Sequence, residues 1–544
     1  MKSPLRRPIY HSLGKRGGQS RGNSVSLRLQ NQKKIMENKR EHTVRLEPAG
    51  IERRVPHGTS LGQIVGEQGV DFACGGRGVC GKCRVELLKG EVELTEWHRT
   101  LLERQGLSPA SWRLACLSLV TDDLTIRIPQ GEQQILTDET EIRLGEETGY
   151  ALAVDLGSTT VVVQLVDLST GKILGSSAEL NRQSRHGADI ISRISYAIQG
   201  EAERKQLSEL IREQIGEQIA SLVQPEIRAE VRRVVLVGNS VMHHLFCDLD
   251  VTPLSAYPFQ SPNNAARRFS TDELHWALPA SCEVVFLPNI SHFVGSDILA
   301  GMESIQIHKQ EKWQALIDLG TNGEIVVGRR GEILCTSTAA GPAFEGINIT
   351  QGMRAVTGAI CSVNESDGHV EVIGGGEASG LCGSGLIDAI HYFCQQEAID
   401  MSGSIADESR HGELPLTPKV SLWEKDVREF QLAKAAIATG FQLLLKELGI
   451  TTDDLEHIYV SGGLGTYLDV KHALAVGLLQ VSSPEQIRKA GNSALAGCKL
   501  FLYRETRPDI ADILSVTRHF ALEASPDFQD YYCNNLFFMP PMPE

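Results

Sequence analysis

The chain has 544 residues, too many for one hydrophobic core, so several structural units are expected. Hydrophobic residues make up 41% and charged residues 22%, and no window holds the roughly 18 uninterrupted apolar residues of a membrane helix. The net charge of −15 would repel a phosphate backbone and argues against nucleic acid as a general partner. We therefore expect a multidomain globular protein that binds neither membrane nor nucleic acid.

The first 41 residues differ from the rest, because they hold 11 Lys and Arg against only two glutamates. They lack the apolar stretch of a secretory signal but formally resemble a transit peptide. We expect a disordered basic extension, or a start codon assigned upstream of Met36, and leave residues 1–41 out of the fold. Eight cysteines are scattered singly along the remaining chain. We expect them to be reduced thiols in a cytoplasmic protein.

Four other cysteines form a pattern typical of an iron–sulfur site. Cys74, Cys80 and Cys83 follow the spacing C-x5-C-x2-C, and Cys116 comes after 32 intervening residues. Four thiolates so arranged fit one [2Fe-2S] cluster, with the intervening glycines letting the backbone pass close to the sulfides. A four-cysteine zinc site and two disulfides are the alternatives. The wide gap before the last cysteine and the density of glycines favour iron and sulfide.

The segments around these cysteines predict a small β-grasp fold. The predicted elements are strands at 43–46 and 51–55, a helix from Ser60, a strand from Arg84 and a last strand at 124–128. Residues 42–130 resemble the ferredoxins that carry a C-x5-C-x2-C loop. The resemblance implies a 2Fe-2S ferredoxin-like domain over that range.

After a polar, acidic linker at 131–149, the pattern D-x-G-[ST] occurs twice, each time between two apolar strands. The first copy contains Asp155 and the second contains Asp318, 163 residues later. This repeat predicts two similar α/β halves that face each other. A carboxylate at each strand end can hold Mg²⁺ through water, while the turns offer N–H and hydroxyl donors to phosphates. One such hairpin is often an ordinary β-turn, but two together predict a grip on a triphosphate.

The candidate ligands of the nucleotide lie in four glycine-bearing turns. They are Gly157, Ser158, Thr159, Thr160, then Gly320, Thr321, Asn322, Gly323, then Gly383, Ser384, Gly385, and finally Gly462, Gly463, Gly465. The third turn stands ahead of a predicted helix, whose N-terminus favours phosphate. The fourth follows a strand, and its bare backbone allows adenine and ribose to lie flat. Asp297 is a further candidate for activating water, with a helix-capping carboxylate as the alternative.

The order of these motifs resembles that of the superfamily of acetate and sugar kinases, heat-shock chaperone ATPases and actin (ASKHA). The resemblance covers residues 150–520 and implies ATP bound between two ribonuclease H-like lobes that close about a hinge. We expect the lobes at 150–310 and 311–520. The fold class is thus α/β multidomain, an N-terminal β-grasp ferredoxin domain followed by a two-lobed actin-like ATPase domain. Residues 521–544 form a C-terminal tail, whose apolar end we expect to dock on the body.

The pairing of these two domains resembles the ATP-dependent reductive activators of corrinoid proteins. The segments at 234–244, 287–297, 318–323 and 340–346 look like recurrent segments of that family, and the resemblance covers residues 42–530. It implies that one electron passes from the cluster, held by the four cysteines, to reduce Co(II) to Co(I) for a methyltransferase system. It also implies that Asp155 and Asp318 organise Mg²⁺ and the attacking water. A low-potential electron donor is the second implied partner, and a homodimer is an open option.

Two alternatives remain at this stage. One is a reductive ATPase that activates a dehydratase-type enzyme, but those proteins carry a dimer-bridging [4Fe-4S] cluster and no ferredoxin domain. The other is a non-enzymatic redox sensor that binds nucleotide without turnover.

The stretch before Asp155 is short, which leaves little room for the extra middle domain of some relatives.

Overall fold

The computed structural model describes residues 40–66, 70, 72, 76, 78–79, 81–104, 107–128, 137–187, 189–257, 259–320, 322–405, 412–464, 467–481 and 483–538. Among these residues, no helix is both long and apolar enough to cross a membrane. The basic tail at 1–39 and two of the four cluster cysteines, Cys74 and Cys80, lie outside the described residues.

The N-terminal domain is a five-stranded sheet with short helices packed against it. Its elements are β1 (Glu41–Glu47), β2 (Ile51–Pro56), α1 (Leu61–Val65), β3 (Arg84–Lys89), α2 (Glu96–Arg104), β4 (Trp112–Leu114) and β5 (Leu124–Arg127). The strand order is β2-β1-β5-β3-β4, with β1 and β5 parallel. This arrangement confirms the expected β-grasp domain, whose core contains Val44, Leu61, Val85 and Ile126.

Two elements of this domain were not predicted, α2 and β4. A three-residue strand is too short for its alternation of polar and apolar side chains to stand out from the sequence. The helix α2 is mostly polar, and it buries only His98, Leu101 and Leu102 against the sheet.

The first lobe of the larger domain is a six-stranded sheet in the order β10-β11-β9-β6-β7-β8. Its elements are β6 (Tyr150–Leu156), β7 (Thr160–Asp167), β8 (Ile173–Leu180), α3 (Ile190–Ala197), α4 (Glu201–Leu222), β9 (Val231–Gly238), α5 (Ser240–Phe246), β10 (Arg267–Phe269), β11 (Glu283–Phe286) and α6 (Ser296–Ser304). The predicted hairpin is β6–β7, with β9 parallel to β6 on its other side.

The second lobe repeats this plan with the sheet order β21-β20-β12-β13-β14-β22. Its elements are β12 (Trp313–Leu319), β13 (Gly323–Arg329), β14 (Glu332–Thr338), β15 (Ala359–Val363), β16 (Val370–Val372), β17 (Gly380–Leu381), α7 (Gly383–Gln395), β18 (Glu413–Pro415), β19 (Ser421–Trp423), α8 (Glu424–Leu448), β20 (Leu455–Ser461), α9 (Val470–Ala475), β21 (Ile487–Gly491), α10 (Ser493–Leu500), α11 (Arg507–Val516), β22 (Thr517–His519) and α12 (Phe528–Asn535). The hairpin β12–β13, with β20 parallel to β12, matches the first lobe. The repeat predicted from the two D-x-G turns is therefore present in the sheets.

One apolar core joins the two lobes. Strands β6 and β9 of the first lobe share it with β12, β13 and the helix α10 of the second. The helix α10 packs on α6 so closely that a Cβ at Gly497 would lie 1.8 Å from the carbonyl oxygen of Ala300. A glycine is required there, and α10 is thereby fixed at the junction of the lobes.

The described part of the predicted linker, residues 137–149, lies against this junction. Lys499 on α10 donates from Nζ to Asp138 Oδ1 at 2.6 Å and to the Thr140 carbonyl at 2.8 Å. Glu147 pairs with the buried Arg233 at 2.5 Å. The linker is thus held to the ATPase body over its second half.

The C-terminal segment docks on the body, as expected. The buried Lys434 on α8 donates to the carbonyls of Asn535 and Phe537 at 2.7 and 2.8 Å. Phe538 is buried and stacks on Phe430. The Lys434 ammonium group thereby holds the C-terminal end of α12 against α8.

Candidate functional site

The two D-x-G turns face each other across one cavity between the lobes. In the first turn Gly157 N donates to Thr160 O at 2.9 Å, and in the second Gly320 N donates to Asn322 O at 3.1 Å. The predicted residues that line this cavity are Asp155, Gly157, Ser158, Thr159, Thr160, Asp297, Asp318, Gly320, Asn322, Gly383, Ser384, Gly462 and Gly463. Segments far apart in the sequence thus converge on one cleft.

Among the described residues, two predicted glycines, Gly323 and Gly385, are not among those that line the cavity. Gly323 begins β13 and packs against Thr338 and Ile437, where a Cβ would lie 2.8 Å from each. Gly385 lies in the first turn of α7, and a Cβ there would lie 2.1 Å from the Ile360 carbonyl oxygen. Both glycines support the wall from behind. Thr321 and Gly465 lie outside the described residues.

Four carboxyl groups lie together at the base of the cleft: Glu324 is buried, and Asp155, Asp297 and Asp318 are partly buried. Burial raises the pKa of Asp155 to about 6 and that of Asp297 to about 7, with Asp318 adding to both shifts. Burial likewise raises the pKa of Asp318. The pKa of Glu324 lies well above its usual range because this carboxyl is buried and because Asp297 and Asp318 are close. This concentration of negative charge is the environment that a divalent cation with oxygen ligands requires.

The two catalytic candidates are each held by one hydrogen bond. Asn492 Nδ2 donates to Asp155 Oδ2 at 2.9 Å, from the N-cap of α10. Ser461 Oγ donates to Asp318 Oδ2 at 2.6 Å, from the end of the neighbouring strand β20. Both bonds favour the ionised carboxylate and oppose the effect of burial.

The first phosphate turn is braced from behind and across the cleft. Arg193, fully buried on α3, donates to the Ser158 carbonyl at 2.5 Å, and burial lowers its pKa to about 10. Asn239 donates to Ser158 Oγ at 2.9 Å. Thr159 Oγ1 donates to Glu345 Oε2 of the opposite lobe at 3.0 Å. The last bond directly joins the two faces of the cleft.

Several residues of the cleft were missed from the sequence. They are Glu324, Glu345, Arg354, Tyr467 and Asn492. Glu324 follows the second turn by one residue and could have been included with it. Glu345 lies in the segment 340–346, which the family resemblance marks but to which no role was given. Arg354, Tyr467 and Asn492 were given no role from the sequence, and only the folded chain brings them to the cavity.

The helix α7 begins at the cavity, where Gly383 and Ser384 form its first turn. A Cβ at Gly383 would lie 2.1 Å from the carbonyl oxygen of Phe344, so the close approach requires glycine. Ser384 is buried and donates from Oγ to the Cys361 carbonyl at 2.8 Å. The free N–H groups at this helix N-terminus are suited to an anion such as phosphate.

The described cluster cysteines are close together. Cys83 is buried before β3 and Cys116 follows β4, and their Sγ atoms lie 3.1 Å apart. Glycines 76, 78 and 81 have positive φ angles of 77°, 69° and 71°, the backbone that a tight wrapping loop requires. Trp97 Nε1 donates to the Gly78 carbonyl at 2.8 Å and braces the loop. Two adjacent thiols, one at the end of a glycine-rich loop and one after β4, fit a cysteine-bound cluster.

The cluster loop contacts the second lobe. Lys82 Nζ donates to the carbonyls of Ile349 and Gly352 at 3.2 and 2.5 Å. A cavity of about 1180 Å³ extends from Val79 and Lys82 along α3 to Asn239 and Asn322. These last two residues also line the nucleotide cleft, so the two cavities share a wall.

A ferredoxin-type domain set beside a two-lobed nucleotide cleft defines an iron–sulfur protein with an actin-like ATPase domain. Residues 44–121 match the 2Fe-2S iron-sulfur cluster binding domain, residues 150–310 the RACo middle region, and residues 312–543 the C-terminal domain of RACo, the ASKHA domain. The middle region thus coincides with the first lobe.

Relatives with assigned names identify the family. The chain is 34% identical over 422 residues to the corrinoid activation enzyme RamQ of Eubacterium limosum, covering 72% of this chain and 71% of that protein. It is 28% identical over 434 residues to the [Co(II) methylated amine-specific corrinoid protein] reductase of Methanosarcina barkeri, covering 72% and 77%. The solved reductive activator for corrinoid, iron-sulfur protein superposes with a TM-score of 0.65 at 25% identity, covering 92% and 99%. The chain belongs to the family of corrinoid activation enzymes, which confirms the resemblance found in its sequence.

Proposed function

We propose that this enzyme uses ATP in the interlobe cleft to drive one electron from its 2Fe-2S cluster to the cobalt of a corrinoid protein, reducing Co(II) to Co(I). The observation that carries the proposal is the position of the cluster loop. It contacts the second lobe through Lys82, beside a cavity that shares Asn239 and Asn322 with the nucleotide cleft. Nucleotide and cluster are therefore close enough for one conformational change to affect both.

The energetics explain why such a reduction needs ATP. When bound, the cluster supplies one electron at about −400 mV, the range of plant-type ferredoxins. A one-electron deficit of about 59 mV is a tenfold penalty, so a gap of some 200 mV costs about 4 to 5 kcal/mol. Nucleotide binding or hydrolysis can offset that cost if it stabilises a state of the partner whose cobalt is easier to reduce.

We propose that Cys74, Cys80, Cys83 and Cys116 are the four cluster ligands. Cys83 and Cys116 support this assignment through the 3.1 Å separation of their sulfurs. The spacing C-x5-C-x2-C places the other two on the same glycine-rich loop. Trp97 holds that loop from the helix α2.

We propose Mg²⁺ as the cation of the cleft, organised by Asp155 and Asp318 through water. The four clustered carboxyl groups supply oxygen ligands of the type that Mg²⁺ accepts, and a cation there stabilises the ionised forms that burial disfavours. Asp297, in the first turn of α6, also accepts from the Ile298 N–H at 2.8 Å. We assign it the first role considered for it, activation of the attacking water.

In this mechanism the turns hold the triphosphate from both lobes. Gly157 to Thr160 and Gly320 to Gly323 offer the backbone and hydroxyl donors, and the α7 N-terminus at Gly383, Ser384 and Gly385 faces the anion. Gly462, Gly463 and Gly465 seat the adenosine. Closure brings the two sets of donors together and strengthens the Thr159–Glu345 contact across the cleft.

The remaining partners follow from the same chemistry. A low-potential electron donor must reduce the cluster after each turnover, because the cluster passes on the one electron that it receives. Eight cysteines outside the cluster site are free thiols, which supports a reducing compartment, and we propose the cytoplasm. A homodimer stays an option that superfamily relatives suggest.

An anaerobic spectrum tests the proposal. A Co(II) corrinoid protein from the same source is mixed with the reduced enzyme, with and without Mg-ATP. Co(I) absorption should form only with ATP, and should be lost in both Cys83→Ala and Asp318→Ala. ATP hydrolysis at one rate whatever the cobalt state, with no Co(I), would instead favour the redox sensor.

A further inference from the structure

Two histidines and a glutamate come together on the second lobe, apart from the nucleotide cavity. His391 lies on α7, His472 on α9, and Glu365 in the loop between β15 and β16. Glu365 Oε2 lies 3.4 Å from His391 Nε2 and 3.5 Å from His472 Nε2, and the three ligand atoms lie within 4.8 Å of one another. In a tetrahedral site with bonds of about 2.0 to 2.1 Å, ligand atoms are about 3.3 to 3.4 Å apart.

A carboxylate outside the triad fixes one of the imidazoles. Asp388, buried on α7, accepts from His472 Nδ1 at 2.7 Å. This bond sets the tautomer and leaves the lone pair of Nε2 directed at Glu365 and His391. A metal-binding histidine almost always has such a partner on its other nitrogen.

The second imidazole also presents an acceptor nitrogen to the same point. Gln395 Nε2 donates to His391 Nε2 at 3.0 Å, so that nitrogen carries a lone pair in the absence of a cation. The two imidazole rings stack at 4.3 Å with 27° between their planes. Both histidines are buried while the Glu365 side chain is 57% exposed, so an ion can enter from solvent.

We propose that His391, His472 and Glu365 bind one divalent transition-metal ion, with Zn²⁺ as the best match, and a water as the fourth ligand. Two imidazoles and one carboxylate form a donor set that Zn²⁺ uses. Binding through the Nε2 atoms displaces the Gln395 amide from His391. One imidazole must also turn out of the stack, because an ion cannot lie in the planes of two rings stacked at 4.3 Å with 27° between them.

The surrounding charge favours a cation here. Asp388, Asp469 and Glu365 all act on the His472 ring, and no lysine or arginine is among the groups that shift its pKa or that of His391. A comparable cluster in the described chain, Glu303 with His308 and Asp509, differs in this respect. There Lys309 Nζ lies 2.7 Å from Asp509 and already balances its charge.

The ion would join the two helices that begin beside the nucleotide. The helix α7 starts at Gly383 in the phosphate wall, and α9 follows the adenosine loop, whose Tyr467 lines the same cleft. His391 lies about two turns into α7, and His472 lies in the first turn of α9. A bound ion would therefore hold the phosphate wall and the adenosine loop in one fixed relation.

Zinc loading of the full chain with its cluster tests the proposal. Protein treated with a chelator is loaded with Zn²⁺ and desalted, and zinc and iron are counted per chain while calorimetry gives the affinity. We expect one zinc per chain with unchanged iron, and a Zn K-edge spectrum with nitrogen and oxygen neighbours only. Sulfur neighbours, or a loss of iron, would assign the zinc to the cysteines and overturn the proposal.

Variants distinguish this site from others. Glu365→Gln changes an exposed side chain and should weaken zinc binding at least tenfold, and His472→Ala should do the same. Asp388→Asn keeps all three ligands but should cost about 10- to 100-fold in affinity. His369→Gln removes an exposed histidine of the same loop and should leave the affinity unchanged. Equal zinc affinity in Glu365→Gln and the wild type, with far-UV circular dichroism showing both folded, refutes the site whether or not His472→Ala folds.

Discussion

The nucleotide cleft and the cluster domain differ in how the chain assembles the residues that bind a charged group. The cleft brings together residues as far apart as Asp155 and Asn492, which are 337 positions from each other in the sequence. It also holds four carboxyl groups close together. The cluster domain is one continuous stretch whose apolar core packs directly behind its loop. Buried like charges reduce the stability of the fold until a cation binds, so removing one of them can stabilise the protein. The apolar core of the cluster domain offers no comparable gain. The same kind of substitution should therefore act differently on stability in the two regions.

The largest effect is expected from Asp318→Asn. Its charge raises the pKa values of Asp155, Asp297 and Glu324, so it is the electrostatic centre of the cleft. ATP hydrolysis should fall about a thousandfold. The Tm of the Mg²⁺-free protein should rise by about 2 to 4 °C, because one buried charge is gone. Steady-state ATPase assays and thermal scans in EDTA measure both.

Asp453→Asn, an exposed change in the same lobe, is the matched control and should alter neither quantity. A lower Tm for Asp318→Asn in EDTA would show that the carboxylates already stabilise the empty cleft. The expected difference in stability effects between the two regions would then be wrong.

The second effect belongs to the cluster domain. Cys83→Ala removes a buried thiol beneath the loop, so cluster absorption and Co(I) formation should fall at least about a hundredfold. Basal ATP hydrolysis should stay within about threefold of the wild type, since the cleft is built without this domain. Exposed Cys533→Ala is the control. A collapse of ATP hydrolysis in Cys83→Ala would mean that the two regions are one cooperative unit.

The third effect is a pH dependence confined to the cluster domain. His98 Nε2 accepts from the Leu114 N–H at 2.7 Å, and burial lowers the pKa of His98 to about 4, with Arg113 contributing. An unfolded histidine titrates near 6.5, so the unfolded state gains the proton first. Stability is full above about pH 6.5 and should fall by about 1 kcal/mol per pH unit down to about pH 4.

Urea unfolding followed by tryptophan fluorescence measures this slope, in a background where Trp276, Trp313 and Trp423 are replaced by Phe so that only Trp97 and Trp112 report. His98→Gln keeps an acceptor for the Leu114 amide and should flatten the slope between pH 6.5 and 4.5. Equal slopes for the wild type and His98→Gln would remove His98 as the cause. Glutamine at His369, an exposed site in the ATPase domain, should leave the slope as in the wild type.

The smallest effect is expected at the contact between lobes. Thr159→Val removes the hydroxyl that donates to Glu345 across the cleft while keeping the side-chain shape. One such bond is worth about 0.5 to 1.5 kcal/mol, so the KM for ATP should rise about three- to tenfold. Thr170→Val in the β7–β8 turn is the control. An unchanged KM would place Thr159 outside the closed state.

The sequence predicted those features that one short segment carries. The D-x-G turns, the glycine-bearing strand end at Gly462 and the cysteine spacing each report their chemistry locally, and the repeat of Asp155 by Asp318 indicated two facing lobes. Asn492 and Arg354 could not be found in this way, because the segments that carry them have no pattern and reach the cleft only through the fold. Glu345 lies in the recurrent segment 340–346, but nothing in that segment indicates a contact with Thr159. The short strand β4 and the polar helix α2 were not predicted for the same reason, because packing rather than sequence periodicity defines them.

The attachment of residues 137–149 to α10 limits how far the electron-carrying domain can travel. Lys499 anchors Asp138 at the junction of the lobes, and the β-grasp domain ends with β5 at Arg127. Ten intervening residues span at most about 36 Å even when fully extended. A short segment therefore connects the cluster domain to a fixed point at the junction of the lobes. Any corrinoid protein must therefore come to this enzyme, and present its cobalt within that radius, to be reduced.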